Sequence, residues 1–297
     1  MNKLIFVVDG NWYLHRCFFT LKTSSPNYGE KLALMFLGLV CKDAVAVKAT
    51  HLLVGFDGPN VFRYKIFPQY KATRKTHESS ESFTDVQVQA KDVYQFLPDI
   101  LALLTELKIP FLQPKTFEAD DIGCSAAYKY QQYARIIVGT KDKDSYQFLS
   151  DNVCLYDSSF KKNGKPFPRY ITSDLAEKIK GVPIKSMITY QCLLGDSIDN
   201  IPSIYTASKA KKLLNTYGSI KNALNQGDEQ TKVFLKQSLA KILLNQKLVT
   251  LCKTVPLPEL NTLVVPRAQL DIQLRNKLPK TYFNYIDMVN PKSHSLF

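Results

Sequence analysis

The sequence predicts an α/β fold with a central, mostly parallel sheet flanked by helices. Three short apolar runs end at glycine and aspartate residues, as buried parallel strands often do; they lie at residues 4–8, 52–56 and 135–139. Amphipathic stretches long enough to be crossover helices lie near residues 30–48, 85–108 and 119–133. Strands and helices that alternate in this way are typical of a doubly wound domain.

Length, composition and charge limit the classes of function that this chain can have. The chain has 297 residues, of which 45% are hydrophobic and 22% charged, as in a soluble globular protein rather than a disordered one. Lysine and arginine number 39 against 26 aspartate and glutamate residues, so the net charge is +13. This excess favours a polyanionic partner, and charge alone does not separate nucleic acid from an acidic membrane surface.

Other sequence features argue against a membrane or secreted protein. The longest apolar run, residues 32–41, falls well short of the roughly 20 residues that a bilayer-spanning helix needs. No strongly basic amphipathic helix of the type that binds membranes stands out. The apolar residues 4–8 are too few for a signal peptide. Six scattered cysteines without a CxxC pair indicate reduced thiols, so we expect a cytoplasmic location and no membrane partner.

The sequence pattern changes near residue 173, from alternating strands and helices to mainly helices. We expect an α/β core over residues 1–173, including a polar, basic and aromatic segment at about 60–95. Residues 174–255 have helical periodicity, with predicted helices at 174–180, 183–194, 207–217 and 230–252. The remaining tail, 256–297, carries Pro256, Pro258 and Pro266, and we predict an extended surface segment with a short helix near 268–278.

Each predicted strand ends with a carboxylate: Asp9, Asp57, and the pair Asp142 and Asp144. A single aspartate after a strand is most often a turn former or a helix N-cap. Three strands out of three are harder to explain in that way. Ligands of open parallel sheets bind outside the carboxyl ends of the strands, so we expect these acids to meet there.

Two further acidic clusters extend this set to nine residues. They comprise Glu118, Asp120 and Asp121 at a predicted helix start, and Asp196 and Asp199 at a predicted helix end. Interaction with a helix dipole explains one or two acids, but adjacent ones repel each other. A converging set of oxygen ligands favours Mg²⁺, with Mn²⁺ as a substitute, and nine acids leave room for two ions. Two such ions suit in-line phosphodiester hydrolysis.

Basic and aromatic residues next to the second strand suit a nucleic-acid strand. Lys71 and Arg74 are three residues apart; the alternatives are a solvated basic face and a clamp on the scissile phosphate. Aromatic residues interleave with basic ones there, a pattern suited to stacking bases while gripping phosphates; they are Tyr64, Phe67 and Tyr70 with Arg63 and Lys65. For Phe67, packing against the sheet is the equal alternative. Arg16, in the predicted first helix, is a further candidate for phosphate contact.

Five sequence blocks resemble the 5′–3′ exonuclease and flap endonuclease family, including the N-terminal nuclease domain of bacterial DNA polymerase I and free-standing bacterial or bacteriophage relatives. They are VVDGNWYLHR (7–16), FDGPNVFRYKIFPQYKATR (56–74), FEADDIG (117–123), VGTKDKDSYQFL (138–149) and LLGDSIDNIPS (193–203). The resemblance implies a PIN-like, flap-endonuclease-like core, an arch over the active site and a helix–hairpin–helix element that binds DNA.

The resemblance also assigns roles. It makes Asp9, Asp57, Glu118 and Asp120 ligands or close partners of a first metal. The second group would be Asp121, Asp142, Asp144, Asp196 and Asp199. Lys71 and Arg74 would contact the scissile phosphate as catalytic residues, together with Asp142 and Asp144.

One departure from the family pattern concerns the hairpin after Pro202. The family usually has a second glycine-rich turn there, whereas residues 203–209 contain no glycine. Thr206 or Ser208 is expected to cap the following helix. Lys209, Lys211 and Lys212 keep the positive charge, so we retain Ser208 and these three lysines as candidate DNA-binding residues.

These observations predict a Mg²⁺-dependent 5′–3′ exonuclease and 5′-flap endonuclease that cuts DNA and RNA primers near duplex junctions in replication and repair. We expect a stand-alone, monomeric nuclease of a bacterial cell or a phage-infected host. The expected partners are DNA with 5′ flaps or ends, RNA–DNA hybrids, and a replication polymerase or single-strand-binding protein. The alternatives are a PIN-like ribonuclease, which is usually shorter, and a catalytically silent DNA-binding replication protein.

Overall fold

Buried β-branched and aromatic runs form the central sheet of the computed structural model, which describes residues 3–21, 27–72 and 90–291. The strands are β1 Leu4–Asp9, β2 His51–Gly55, β3 Phe111–Leu112, β4 Arg135–Gly139, β5 Val153–Asp157, β6 Lys161–Lys162, β7 Lys165–Pro166 and β8 Arg169–Ile171. Six of them form one sheet in the order β3-β2-β1-β4-β5-β8, and β6 and β7 form a separate hairpin.

The predicted parallel arrangement is confirmed. Strand β1 pairs in parallel with both β2 and β4, and Val7 lies opposite Leu53 on one side and Val138 on the other. Strands β3 and β5 extend the sheet in the same direction, whereas β8 is antiparallel to β5. The residues that follow β1, β2 and β4 therefore emerge at one edge of the sheet.

Helices cover both faces of the sheet. Among the described residues of the first 173, the α-helices are α1 Gly10–Phe18, α2 Tyr28–Ala46, α3 Phe62–Ile66, α4 Leu97–Glu106 and α5 Ala119–Tyr130. Phe6 and Val8 point to the face that packs against α2 and α4. Ile5 and Val7 point to the opposite face, in a second core that includes α5. This alternation is the period of two expected for a strand that is buried on both faces.

The predicted helical region contains six helices. They are α6 Ser173–Lys180, α7 Met187–Leu194, α8 Ala207–Tyr217, α9 Ile220–Gln226, α10 Glu229–Gln237 and α11 Leu239–Val249. The sequence did not predict α9, and the single helix expected at 230–252 is two helices that meet at Ser238. The buried leucines Leu193, Leu214 and Leu235 belong to the same core as Ile5 and Val7, so this region packs against the sheet domain.

The expectation of an extended C-terminal tail is wrong. The short helix predicted near 268–278 is present as α12 Ile272–Lys277, but a further helix, α13 Lys280–Val289, follows it. Tyr282 and Tyr285 of α13 are buried in the core that contains α2. The prolines at 256, 258 and 266 interrupt only the earlier part of the tail. Tyr282, Tyr285 and Ile286 have the i, i+3, i+4 spacing of a helix with one apolar face.

Three other expectations can be compared with the structure. All six cysteines are free thiols, as predicted. Within the described ranges, no helix has both the length and the apolar character needed to cross a bilayer. Of the expected arch at about 60–95, the structure describes α3 and a 3₁₀ helix at Ala90–Phe96. Residues 73–89, including Arg74, lie outside the described residues.

Candidate active site

The carboxyl edge of the sheet forms an acidic cavity of about 480 Å³. Seven of the nine predicted acids line it: Asp9, Asp57, Glu118, Asp120, Asp142, Asp144 and Asp199. Three of them, Glu118, Asp120 and Asp199, come from a helix start or a loop rather than from strand ends, so the fold gathers acids that are up to 190 residues apart in the chain. Asp121 and Asp196 do not line the cavity.

Hydrogen bonds fix the acids that follow β1 and β2. Asp9 caps α1, because its Oδ1 accepts the Trp12 N–H at 3.0 Å, and its Oδ2 accepts the Thr140 hydroxyl at 2.9 Å. Asp57 Oδ1 accepts the backbone N–H of Ala119 at 2.8 Å. The N-cap interpretation and the cavity interpretation of Asp9 are therefore both correct, since one carboxylate serves both purposes.

The acids after β4 are organised by the same loop. Asp142 Oδ1 accepts the Asp144 N–H at 2.8 Å and caps a 3₁₀ helix, Lys143–Phe148. The Asp142 N–H donates in turn to the Thr140 hydroxyl at 3.1 Å. Thr140 thus bridges Asp9 and the Asp142 loop, although the sequence had not singled it out.

Four of the acids make up what we call the crowded side of the cavity: Asp9, Asp120, Asp142 and Asp144. Burial raises the pKa of Asp9 to about 7, and the nearby charges of Asp57 and Asp142 add to this effect. Burial, followed by repulsion from Asp142, raises the pKa of Asp144 to about 8. The crowded side therefore lacks compensation for its negative charge.

The other two members of the crowded side behave in the same way. Burial and the charges of Asp142 and Asp9 raise the pKa of Asp120 well above its ordinary value. Burial likewise raises the pKa of Asp142, although Lys71 and Lys143 oppose the shift. Among the described residues, no lysine or arginine forms an ion pair with any of the four acids.

Two other acids have cationic partners: Glu118, which lines the cavity, and Asp121, which is buried next to it. We call these two acids, with Arg63 and Lys71, the paired side. Arg63 Nη1 lies 2.7 Å from Glu118 Oε2 and 2.7 Å from Asp121 Oδ2, and Arg63 Nη2 donates to Asp121 Oδ1 at 2.8 Å. Lys71 Nζ pairs with Glu118 Oε1. Two fixed cations therefore compensate two carboxylates.

This pairing corrects two expectations. The Arg63 side chain is only 1% exposed, so it does not form part of a DNA-binding surface. Asp121 is fully buried, and both of its oxygens accept hydrogen bonds from Arg63, which separates it from the expected second metal group. The physical reason is that a buried carboxylate beside an arginine must keep that partner, because an unpaired buried charge costs several kcal/mol.

Arg63 also joins the two domains. Its Nε donates to the Leu248 carbonyl at 2.8 Å, and its Nη2 donates to the Thr250 carbonyl at 3.2 Å. All the polar contacts of this guanidinium lie inside the protein. The end of α11 is therefore held against the start of α5, where Glu118 and Asp121 form a capping box.

The loop after α3 brings Lys71 and Tyr70 to the cavity. Lys71 adopts the left-handed conformation (φ 57°), which is rare for residues other than glycine, and its N–H donates to the Asp199 carbonyl at 2.9 Å. The Tyr70 hydroxyl shares its one hydrogen between Glu118 Oε2, at 3.2 Å, and Asp199 Oδ2, at 3.3 Å. Tyr70 is 4% exposed, which corrects its expected role as a base-stacking surface. Tyr64 is 44% exposed and stays a candidate for that role.

Asp196 lies at the turn that precedes Asp199. Its Oδ2 is 2.8 Å from Lys143 Nζ, and its Oδ1 accepts the Ile198 N–H at 2.8 Å. Although burial acts in the opposite direction, the Lys143 hydrogen bond and charge hold the pKa of Asp196 below its ordinary value. Gly195 permits the turn, because it has φ 64° and a Cβ there would lie 2.5 Å from the Ile201 carbonyl oxygen.

The remaining candidate DNA-binding residues do not line the acidic cavity. Arg16 stacks on Trp12, 4.6 Å from the ring centroid, and donates to the Ser158 hydroxyl at 2.8 Å. Thr206, rather than Ser208, is the N-cap of α8. On that helix, the exposed candidates are Ser208, Lys209 and Lys212, while Lys211 is half-buried.

The cavity residues that were absent from the sequence-based prediction include Asn11, Trp12, His15 and Tyr94, besides Thr140. The Tyr94 hydroxyl accepts from Asn11 Nδ2 at 3.3 Å and lies 3.3 Å from His15 Nε2. The signal for Asn11, Trp12 and His15 was their place in a helix that starts directly after Asp9. Tyr94 had no comparable signal, because it comes from a distant 3₁₀ helix.

The donor set of the cavity fits a hard divalent cation in its chemistry. Its titratable lining is rich in carboxylates, and their raised pKa values indicate charge that a cation would compensate. In the part of the chain that the structure describes, no group of three or more His, Cys, Asp or Glu side chains is arranged so that it could hold a metal ion as it stands. The described acids line one cavity, but they are not close enough together to have the geometry of metal ligands.

Two family descriptions match the chain. The 5′–3′ exonuclease N-terminal resolvase-like domain matches residues 4–180, and the 5′–3′ exonuclease C-terminal SAM fold matches residues 182–271. The chain belongs to the 5′–3′ exonuclease family. It is therefore a nuclease, as the sequence predicted, and the two matched regions meet close to the predicted change at residue 173.

Individual relatives agree with this assignment. The chain is 28% identical over 255 residues to a 5′–3′ exonuclease of Aquifex aeolicus, covering 84% of this chain and 82% of that protein. It is 29% identical over 268 residues to DNA polymerase I of Bacillus caldotenax, covering 86% of this chain but only 29% of the polymerase.

Solved structures show the same fold. A bacteriophage T5 flap endonuclease in a complex with DNA and metal ions has a TM-score of 0.69 at 18% identity and covers 97% of this chain and all of that one. A second T5 structure, co-crystallised with metal ions, has a TM-score of 0.68 at 20% identity, covering 84% of this chain and 90% of that one.

Proposed function

We propose that this nuclease cuts the phosphodiester backbone of DNA at 5′ flaps or 5′ ends near duplex junctions, and that it also removes RNA primers. The observation that carries this proposal is the acidic cavity lined by seven carboxylates and bordered by Lys71. The positive charge of the whole chain and the names of its relatives support a nucleic-acid substrate.

Divalent ions, two in number and Mg²⁺ by preference, are the proposed cofactor. When bound, they would supply an activated water and stabilise the leaving oxygen. The first ion would involve Asp9, Asp57, Glu118 and Asp120, and the second Asp142, Asp144 and Asp199. Asp196 is proposed only as a support of this loop, since Lys143 holds one of its oxygens.

The chain's own cations would handle the phosphate. Lys71 lies at the cavity and is held over it by the backbone contact to Asp199, so its ammonium group can leave Glu118 for a phosphate oxygen. Arg74 is proposed to assist from the adjacent segment. Arg16, with Ser208, Lys209, Lys211 and Lys212 on α8, would bind the backbone of the duplex, while exposed Tyr64 would stack on a base.

The biological setting is also a proposal. Removal of primers or flaps during replication and repair, in the cytoplasm and by a monomer, agrees with the family and with free cysteines. RNA–DNA hybrids, a replication polymerase and a single-strand-binding protein are proposed as further partners. The match to a C-terminal helical domain argues against the shorter PIN-like ribonuclease.

A 5′-labelled flap substrate tests this proposal. We expect cleavage near the junction in Mg²⁺ and none in EDTA, with restoration when Mg²⁺ is added in excess. Matched DNA and RNA flaps, and a blunt duplex as a control, would define the substrate class. Cleavage that persists in EDTA, or equal cleavage of the blunt duplex interior and the flap junction, would contradict the proposal.

A further inference from the structure

Two buried glutamines lie behind the crowded side of the cavity. Gln191 on α7 is 8% exposed and Gln147 in the 3₁₀ helix is 9% exposed. Gln191 Nε2 donates to Asp144 Oδ1 at 3.0 Å and to the Lys143 carbonyl at 3.3 Å. Both hydrogens of this amide are therefore directed at the loop that carries Asp144.

Gln147 lies beside Gln191 and contacts the backbone of the same loop. Its Nε2 lies 3.4 Å from Gln191 Oε1 and also donates to the carbonyls of Asp144, at 2.9 Å, and Val249, at 3.1 Å. Its Oε1 accepts the Leu251 N–H at 3.0 Å. The backbone N–H of Leu251 can only donate, so the orientation of the Gln147 amide is fixed, and it presents its nitrogen to Gln191.

We propose that Gln191 is a positioning residue that orients the Asp144 carboxylate for a divalent ion. This inference rests on the proposed metal-dependent function. An amide N–H fixes one carboxylate oxygen but, unlike the cations of the paired side, it leaves the negative charge in place. Outer hydrogen bonds of this kind commonly orient metal ligands and affect their affinity for the metal.

The support for Gln191 comes from the helical region. Successive backbone groups of residues 248–251 contact two different side chains. The carbonyls of Leu248 and Thr250 accept hydrogen bonds from Arg63, whereas Val249 and Leu251 are hydrogen-bonded to Gln147. One short segment thus supports both sides of the site. The position of Asp144 consequently depends on docking of the helical region against the sheet domain.

The test compares Gln191→Met with wild type, using Mn²⁺ alone as the probe. Methionine has a similar length but no N–H donor. We expect Mn²⁺ binding, measured by electron paramagnetic resonance titration, to weaken at least about 10-fold. The Mg²⁺ concentration for half-maximal flap cleavage should rise by a similar factor. Gln191→Asn, which shortens the side chain and withdraws the amide, should weaken Mn²⁺ binding in the same direction and serves if Gln191→Met does not fold.

Asn245→Leu is the matched control. Asn245 is another fully buried amide, which donates to the carbonyls of Cys192 at 2.8 Å and Pro202 at 2.7 Å without contacting an acid. This variant should lower the melting temperature yet bind Mn²⁺ as the wild type does. Wild-type Mn²⁺ affinity in folded Gln191→Met or Gln191→Asn, or an equal loss in Asn245→Leu, would overturn the role of Gln191. Failure of the wild type to bind Mn²⁺ would instead overturn the metal-dependent function itself.

Discussion

The two sides of the acidic cavity handle negative charge in opposite ways. On the paired side, Arg63 and Lys71 face Glu118 and Asp121, so the cations and carboxylates are equal in number. On the crowded side, the pKa values of all four carboxylates are raised. The four crowded carboxylates are half-buried, whereas Glu118 and Asp121 are buried, so depth of burial alone does not explain why the raised pKa values lie on the crowded side.

For Arg63 and Asp121, the difference separates a structural role from the chemical role proposed for the crowded side. Buried charges with fixed partners hold elements together, as Arg63 does between α5 and the end of α11. Carboxylates crowded together without cationic partners raise the free energy of the folded state, and a bound cation would remove this cost. The paired side therefore keeps the structure of the cavity, and the crowded side is where a cation would bind.

The largest expected effect is the loss of activity when the crowded side is neutralised. Asp142→Asn and Asp144→Asn should each lower flap cleavage by at least about 100-fold, the range for losing one group that stabilises charge in a transition state. Each should leave DNA binding in a mobility-shift assay largely intact. The same variants should also raise the melting temperature of the metal-free protein near neutral pH, since they remove repulsion. Loss of DNA binding together with cleavage would show that these acids act in folding instead.

The next effect concerns the stability of the paired side. Arg63→Met leaves Glu118 and Asp121 buried without their main partner and should lower the free energy of unfolding by about 3–5 kcal/mol. Arg267→Met is the matched control, because Arg267 forms an exposed ion pair with Asp287 and its loss should cost no more than about 1 kcal/mol. Urea denaturation of both variants would measure the contrast. Similar costs for the two arginines would remove the distinction between the sides.

The smallest effect is a pH dependence of the metal-free protein. The folded pKa values of Asp9, about 7, and Asp144, about 8, lie above the ordinary 3.8 of the unfolded chain, so the folded state binds protons more readily. This contribution to stability is complete below about pH 4 and is lost as the pH rises through about 7 to 8. The melting temperature should therefore fall between about pH 5 and pH 8.5, by a few degrees.

Metal and a double variant provide the control for that measurement. Added Mg²⁺ should stabilise the protein more at high pH than at low pH, because protons and the cation compete for the same oxygens. The double variant Asp142→Asn/Asp144→Asn should show a weaker pH dependence. A melting temperature that rises with pH in the metal-free wild type would contradict the raised pKa values.

The gathering of acids was visible in the sequence because strand ends converge. Three parallel strands that each end in aspartate must place those residues at one edge, whatever the loops do. The buried strands, the crossover helices and most of the later helices followed from apolar periodicity in the same way. Local patterns of this kind persist in the fold because burial of the apolar face dominates the energy of each element.

The division of the acids into two sides was not visible in the sequence. Arg63, two residues from Lys65, resembled a surface cation, and Asp121 next to Asp120 resembled a second ligand. Only packing showed that α3 turns Arg63 inward onto Asp121. Gln147 and Gln191 were missed for the same reason, since a lone glutamine carries no pattern and its role depends on the carboxylate beside it.

The sequence by itself therefore determined the sheet, its flanking helices and a shared edge for the strand-end acids, since periodicity and strand direction are local properties. The tertiary structure alone decided which carboxylates acquire a cation, which keep their charge, and how α13 completes the core. The reason is that charge compensation and burial depend on contacts between residues far apart in the chain, such as Arg63 with Thr250.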